Sequence, residues 1–428
     1  MKAFCLASCK KYRIFYNMTE NKAKLLSPLP LFDSMEYINH STEAFIDTER
    51  YYLSDIEHAR AFLKAYNGSQ GTFNAYRREI ERLLHWSALA AKKPLKDLRR
   101  QDMEAFVEFC QNPPQHWIGT QKPPRFIIKN GQRTPNMEWR PFVVTVSKSA
   151  YRKGETPNLK NFRLSQGAVR ELFAIISSFY NYLLQEEYVD VNPVALIRQK
   201  SKFIRRNQGQ HKIRRLSETQ WQYVIQTVTK MAEENPDIHQ RSLFILSALY
   251  SMYLRISELA AGKRWEPLMN HFFRDNEGCW WFTTVGKGNK ERQIAVSDTM
   301  LDALRAWRKH LNLSSLPSPG DNSPLLPRMK GKGPMQSINH IRRIVQLCFD
   351  KAVEQLQRDN LPEEAESLLE ATVHWLRHTG ISDDVKHRPR EHVRDDAGHS
   401  SSAITDKYID IELRERHRSA RKKTIAEV

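Results

Sequence analysis

Apolar positions recur with helical spacing along most of the chain, and the breaks in that rhythm divide it. Residues 1–45 show no sustained period and carry Pro28 and Pro30, so they read as an N-terminal arm with little structure. From Leu53 the helical period sets in. Phe73, Tyr76, Ile80, Leu83, Leu84 and Leu89 predict a helix between Thr72 and Lys92, and another runs near Gln101 to Cys110. Residues 112–160 interrupt this pattern. Prolines crowd the stretch from Pro113 to Pro157, and short β-like runs (Arg125 to Lys129, Phe142 to Ser147) sit between them, as in an insertion within a helical domain. Helical text resumes over Ser165 to Glu187, and Asn192-Pro193 closes the unit at about residue 197.

The second half opens at Ser217, an N-cap with Gln220 three residues on. Helices are predicted over 217–233 and 240–261. Trp280 to Val285 and Gln293 to Val296 read as strands flanking a polar, glycine-containing turn, Gly286 to Arg292. Further helices fall at Thr299 to Leu311, roughly 336–358, 362–380, near 390 and from 402. A Pro/Ser/Gly loop covers 317–334, and no repeat is visible. The fold expected is mainly α with a small antiparallel sheet. Its parts are an arm (1–45), a helical domain (46–197), a linker (198–216) and a second domain with a C-terminal tail (217–428).

Charge narrows the partner. Of 428 residues, 67 are Lys or Arg and 49 are Asp or Glu, a formal net charge of +18, which favours a polyanion, nucleic acid before an anionic membrane. With 40% hydrophobic residues the chain is too apolar to be disordered. Between Pro193 and Leu216 stand Arg198, Lys200, Lys202, Arg205, Arg206, Lys212, Arg214 and Arg215 with no acidic residue, a run that reads as a linker tracking a nucleic-acid backbone. Arg77, Arg78 and Arg82 fall largely opposite the apolar stripe of their helix, either as a solvated basic face or as a DNA contact. The five cysteines are scattered, as in a cytosolic protein with reduced thiols. The longest apolar run, Ser242 to Leu254, is too short to span a bilayer, so no membrane partner is expected.

Several residues can carry chemistry. Arg255 and Glu258, in the last turns of the helix expected over 240–261, form either an ion pair within that helix or an arginine aimed at a phosphate with Glu258 fixing its surroundings. On a helix, His374, Arg377 and His378 share one face. The i, i+4 histidines have the spacing of a zinc pair, but Trp375 stands where the metalloprotease motif needs glutamate and no third ligand is evident, so no metal is expected. The tandem pairs Asp383-Asp384 and Asp395-Asp396 point apart and read as caps or solvated groups. Tyr408, nine residues after His399, reads alone as a core tyrosine. Taken together, two arginines, two or three histidines and a lysine of the hairpin turn suit metal-free phosphoryl transfer, and a tyrosine supplies the nucleophilic hydroxyl.

Four motifs stand in order: Leu254-Arg255-Ile256-Ser257-Glu258-Leu259, Gly286-Lys287-Gly288-Asn289-Lys290-Glu291-Arg292, His374-Trp375-Leu376-Arg377-His378-Thr379, and Gly398-His399-Ser400 followed by Tyr408. With them, residues 217–415 resemble the tyrosine site-specific recombinases, or phage-integrase family. The helical unit at about 50–200 resembles, more generically, the family's core-binding domain. The resemblance implies a helical, SAM-like core-binding domain plus an α+β catalytic domain. It implies that Tyr408 attacks a scissile phosphodiester to leave a 3′-phosphotyrosyl link and a free 5′-hydroxyl. Arg255 and Arg377 would clamp the non-bridging oxygens, and Lys287 would protonate the leaving 5′ oxygen. His374 would assist proton transfer with Tyr408, and His399 would hydrogen-bond the phosphate. Glu258 and His378 would support these groups. No cofactor is implied, neither ATP nor metal. The implied partners are double-stranded DNA bearing a specific recombination site and a homotetramer on that DNA, with the tail from Ile409 docking on a neighbour. The implied setting is the bacterial cytoplasm, on DNA, as an integrase or transposase of a mobile element. Chromosome-dimer resolution, a type IB topoisomerase-like enzyme and a catalytically inactive DNA-binding regulator are the alternatives. Ala397 stands where the family commonly has leucine, the interval from Arg255 to His374 is longer than usual, and the 112–160 insertion is not a family staple.

Overall fold

The computed structural model describes residues 27–39, 46, 51–66, 69–195, 197, 214–263, 265–286, 289–406, 408 and 420–421. Two compact units emerge, one of residues 1–146 and 154–208, the other of residues 147–153 and 209–428. The basic linker from Arg198 to Lys212, which includes Lys200, Lys202, Arg205 and Arg206, lies outside the described residues, as do Lys287 and, but for residues 420–421, the tail from Ile409. No helix among the described residues is long and apolar enough to cross a membrane.

In the first unit, helices α1 (Leu53–Ala65), α2 (Gln70–Trp86) and α3 (Arg100–Gln111) follow the predicted periods, and Ser69 caps α2 through the Thr72 amide. The proline-rich stretch does more than interrupt them. Its strands are β1 (Ile118–Gly119), β2 (Phe126–Lys129), β3 (Gln132–Pro135) and β4 (Phe142–Val143). β1 pairs parallel with β4, and β2 pairs antiparallel with β3. The β2–β3 turn is Asn130-Gly131 with both φ positive, the backbone that a two-residue hairpin favours. Trp117 and Phe142 are fully buried in the core of this unit, so most of the stretch is part of the domain. Helix α4 (Lys148–Arg152) is the exception. It packs with the second unit, where Lys148 Nζ donates to Gln346 Oε1 and the Ala371 carbonyl, both at 2.8 Å, and the Ser149 amide donates to Glu370 Oε1 at 3.0 Å. Helix α5 (Gln166–Gln185), capped by Ser165, returns the chain to the first core.

Two expectations for this unit are corrected. Residues 27–38, assigned to a nearly structureless arm, are irregular but packed: Leu31, Phe32 and Ile38 are buried in the core, Asp33 pairs with Arg133, and Glu81 pairs with Arg125. The rest of the arm, apart from Asn39, lies outside the described residues. The basic triad of α2 is not a free face either. Arg82 is only 8% exposed, its Nη1 bonded to Glu79, its Nε to the Pro141 carbonyl at 3.0 Å, and its guanidinium over the Phe142 ring. Arg77 bonds the Asp33 carbonyl and Asn74, and Arg78 bonds Glu79 and Glu171. The chain around α2 brings carboxylates and carbonyls to these arginines, so their charge is neutralised or hydrogen-bonded within the protein.

The second unit packs helices on both sides of α7. Its elements are α6 (Glu218–Glu234), α7 (Pro236–Ser251), β5 (Phe272–Arg274), β6 (Trp280–Val285), β7 (Glu291–Ala295), α8 (Asp298–His310), α9 (Ile338–Arg358), α10 (Pro362–Leu369), α11 (Val373–Asp384), α12 (Arg390–Ala397) and α13 (Ser402–Asp406). The sheet is antiparallel in the order β5-β6-β7, with Phe282 opposite Phe272 and Ile294 in its buried middle. The capping box of Ser217 and Gln220 is formed. The helix expected over 362–380 is two helices, broken at 370–372. The helix expected to run to residue 261 ends at Ser251, so Arg255 and Glu258 do not belong to it.

Candidate active site

The chain leaves α7 through Tyr253, a non-glycine residue in the left-handed region with φ 48°. That conformation costs about 1–2 kcal/mol and is held by the surroundings. The Tyr253 ring is buried, its hydroxyl donates to Asp384, and its carbonyl accepts from Arg377. The turn sets Arg255 in extended backbone, capping the single 3-10 turn Ile256–Glu258. The Arg255 amide donates to Glu258 Oε2 at 2.9 Å, and its Nη1 donates to Glu258 Oε1 at 2.9 Å. The ion pair foreseen between these residues is real, but it is built across a turn.

Glu258 is 1% exposed and serves a second arginine. Arg292 of β7 donates from Nη1 and Nη2 to both carboxylate oxygens, at 2.9 and 2.8 Å, and from Nε to the Asp396 carbonyl at 2.9 Å. Burial pushes the Glu258 carboxyl up, but the bonds and charge of Arg292, then Arg255, outweigh it and hold the group below the ordinary carboxylate value. The hairpin motif contains Arg292 but assigns it no role. The signal was legible: Arg292 shares the parity of buried Ile294, so strand alternation turns it toward the core.

Helix α11 presents His374, Arg377 and His378. Arg377 is 2% exposed, and its guanidinium bonds two carbonyl oxygens, of Tyr253 and of Ala397 (2.6 Å). It has no carboxylate partner among the described residues. Burial first, then the charges of Arg255 and Arg292, push it down to about 9, so it stays cationic at neutral pH. A buried cation bonded only to carbonyls is poised for an anion. Gly398 ends α12 in the left-handed region (φ 62°), where a Cβ would lie 2.7 Å from Arg292 Cδ, and so turns His399 into the site.

Tyr408 completes the cluster. Its ring stacks on His399, with centroids 5.6 Å apart and planes at 17°, and its phenol oxygen lies 2.6 Å from His378 Nδ1. The imidazole on the phenol is therefore His378, where His374 was expected; the His374 ring sits 4.2 Å from that of His378. Burial raises the Tyr408 phenol, against the pull of Arg377 and Arg255. Burial and the nearby arginines push His399 down to about 4 and also lower His374. Of the acidic pairs, Asp384 accepts from Tyr253 and Arg388, and Asp396 accepts from Arg388 (2.6 Å) and the Ala295 amide (3.2 Å), so both brace the site. Arg214 is exposed, and Arg215 Nη1 lies 3.9 Å from Asp383.

Residues 214–414 match the family model described as the phage integrase family. Tyrosine recombinase XerC of Chlorobaculum parvum is 24% identical over 174 residues, 39% of this chain and 49% of that protein. Tyrosine recombinase XerC of Xylella fastidiosa is 23% identical over 253 residues, 59% of this chain and 63% of that protein. The matches thus span from about half to just under two thirds of these relatives' length. The solved structure of the XerH site-specific recombinase bound to palindromic difH substrate, a post-cleavage complex, shares the fold with a TM-score of 0.54 at 14% identity, over 91% of this chain and 94% of that one. The arginines, histidines and tyrosine of the four motifs are gathered in one site, and residues 214–414, just under half of the chain, form a domain that matches the phage integrase family, that of the tyrosine site-specific recombinases.

Proposed function

We propose that this protein is a site-specific recombinase that cleaves and rejoins duplex DNA through a 3′-phosphotyrosyl intermediate. One observation carries the reading: a tyrosine hydroxyl within hydrogen-bond reach of an imidazole, beside a buried arginine that has no carboxylate partner among the described residues. Tyr408 Oη attacks the scissile phosphorus, the P–O5′ bond breaks, and the 3′ phosphate stays on the enzyme. Arg255 and Arg377 bond the non-bridging oxygens, whose negative charge grows in the transition state. His399 donates to the same phosphate, and Lys287 supplies the proton of the leaving 5′ oxygen. Glu258 and Arg292 hold Arg255 in place. The phosphotyrosine conserves the bond energy, so attack by another strand's 5′-hydroxyl rejoins DNA without ATP, and the arginines carry the electrostatic work that a metal performs elsewhere. Four protomers acting on paired sites and a role in a mobile element complete the proposal; the proline-rich excursion and the tail, additions to a two-domain plan, support the latter.

The test is incubation with nicked duplex DNA in EDTA. A denaturation-resistant protein–DNA adduct is expected, unaffected by EDTA and lost in Tyr408→Phe. Absence of an adduct on a verified site, or its persistence in Tyr408→Phe, refutes the mechanism. A metal-dependent nuclease would stop in EDTA and leave no adduct. Sequences recovered from adducts should match the ends of a mobile element; a single chromosomal site would indicate dimer resolution instead.

A further inference from the structure

Three histidines line the site, and one of them bonds the nucleophile. His378 Nδ1 is 2.6 Å from Tyr408 Oη, whereas the Nδ1 of His399 is engaged by Thr405 Oγ1 at 2.9 Å and His374 packs against His378 itself. We infer that His378, in place of the His374 that the family resemblance suggests, is the base that takes the Tyr408 proton during attack. The inference rests on the recombinase reading above. In that step the Tyr408 Oη–P bond forms and the P–O5′ bond breaks. The phenol proton passes to His378 Nδ1, and a second proton, from Lys287, ends on the 5′ oxygen.

The site is built for that transfer. Arg377, the residue before His378, is pinned by the carbonyls of Tyr253 and Ala397, which holds this turn of α11, and the His378 ring itself lies between those of His374 and Tyr408. Burial keeps the phenol protonated at neutral pH, so its O–H donates. Burial, then His374 and Arg377 from α11 and His399 from the turn after α12, push His378 down to about 4, so it is neutral and its Nδ1 accepts. A bound phosphodiester places a negative charge between Arg255 and Arg377. That charge lifts the imidazole toward the range in which a base is effective, while the forming O–P bond acidifies the phenol.

The test begins with a pool of nicked duplexes of randomised sequence. Adducts formed by the wild-type protein are trapped and sequenced to give one cleavable duplex. Single-turnover adduct formation is then followed from about pH 6 to 10 for the wild type, His378→Ala, His378→Gln, His374→Ala and Lys287→Ala. A matching duplex carries sulfur in place of the bridging 5′ oxygen, so that its leaving group needs no proton. The His378 variants should be slower by about 10²–10⁴-fold near neutral pH. The deficit should narrow by about tenfold per pH unit as the phenol ionises unaided. Sulfur should restore Lys287→Ala and leave the His378 variants slow. Glutamine keeps an acceptor for the phenol but cannot serve as the base, so its slowing separates proton removal from mere holding, and it carries the test if the alanine variant fails to fold. A deficit equal at every pH, a near-wild-type rate in His378→Gln, or a pH-dependent deficit in His374→Ala alone overturns the inference. If the wild type forms no adduct with any duplex, the recombinase reading fails and takes this inference with it. If the wild type forms adducts and the His378 variants keep pace, this inference alone fails.

Discussion

Replacing Gly380 by alanine should unseat the helix that carries the site. Gly380 lies in α11 where it crosses the end of α7. A Cβ at this position would fall well inside 3.0 Å of the Tyr250 carbonyl oxygen, a distance that real Cβ atoms essentially never show, and would lie 3.2 Å from Tyr253 Cδ1. The obstacle is backbone and cannot swing aside, so α11 must retreat by about 1 Å, a forced overpacking that costs about 1–3 kcal/mol. Alanine's higher helix propensity returns up to about 1 kcal/mol. The net loss, about 1–2 kcal/mol, lowers the melting temperature of a unit this size by about 2–8 °C. The same retreat draws Arg377 away from the Tyr253 and Ala397 carbonyls, and a shift of about 1 Å in a reacting group is worth about 10²-fold in rate. Thermal unfolding and adduct formation measure the two effects separately. Gly262→Ala is the control: nothing lies within 4 Å of its Cβ position, so its stability should stay within about 0.5 kcal/mol of wild type. A Gly380→Ala protein as stable and as fast as wild type would refute the close approach of α7 and α11, and with it the account of how Arg377 is held.

Two further substitutions probe the charges. Arg82→Ala should destabilise the first unit by about 1.5–3 kcal/mol, since Arg78 still neutralises Glu79, while leaving the salt dependence of DNA binding by the folded protein unchanged; a drop in that dependence by about one ion would restore the DNA-contact reading. Glu258→Gln should cost up to about 3–5 kcal/mol at neutral pH. Because the Glu258 carboxyl is held below its ordinary value of 4.5, its contribution is full above that pH and lost as the pH falls through the lowered value. The melting-temperature gap between wild type and Glu258→Gln should therefore close on acidification, and a gap that stays constant to the acid limit would contradict the pairing.

The sequence alone determined the elements whose cause is local. Trp280 to Val285 is a strand because aromatic and β-branched residues fill it and a polar turn follows, Ser217 caps α6 because Gln220 stands three residues on, and most helices start and stop close to where their apolar periods do. The four motifs could be read in order, and with them the resemblance to the tyrosine recombinases. Tertiary structure decided where the charges went. Periodicity says that a position is buried or exposed; it does not say what it meets. Arg82 looked like surface until the Pro141 carbonyl and the Phe142 ring, some sixty residues on, closed over it. The helix after Arg241 looked continuous to Ala261, since its apolar spacing persists, yet Tyr253 turns the chain because Arg377 and Asp384 reach it from more than a hundred residues away. The same holds for the pairing of Arg292 with Glu258 and for the choice of His378 over His374 at the Tyr408 phenol. Each depends on the direction of a side chain relative to an element distant in sequence, and one helical turn separates the two histidines. Local pattern assigns residues to faces, and only the packing of those faces against one another decides which atom receives which proton or charge.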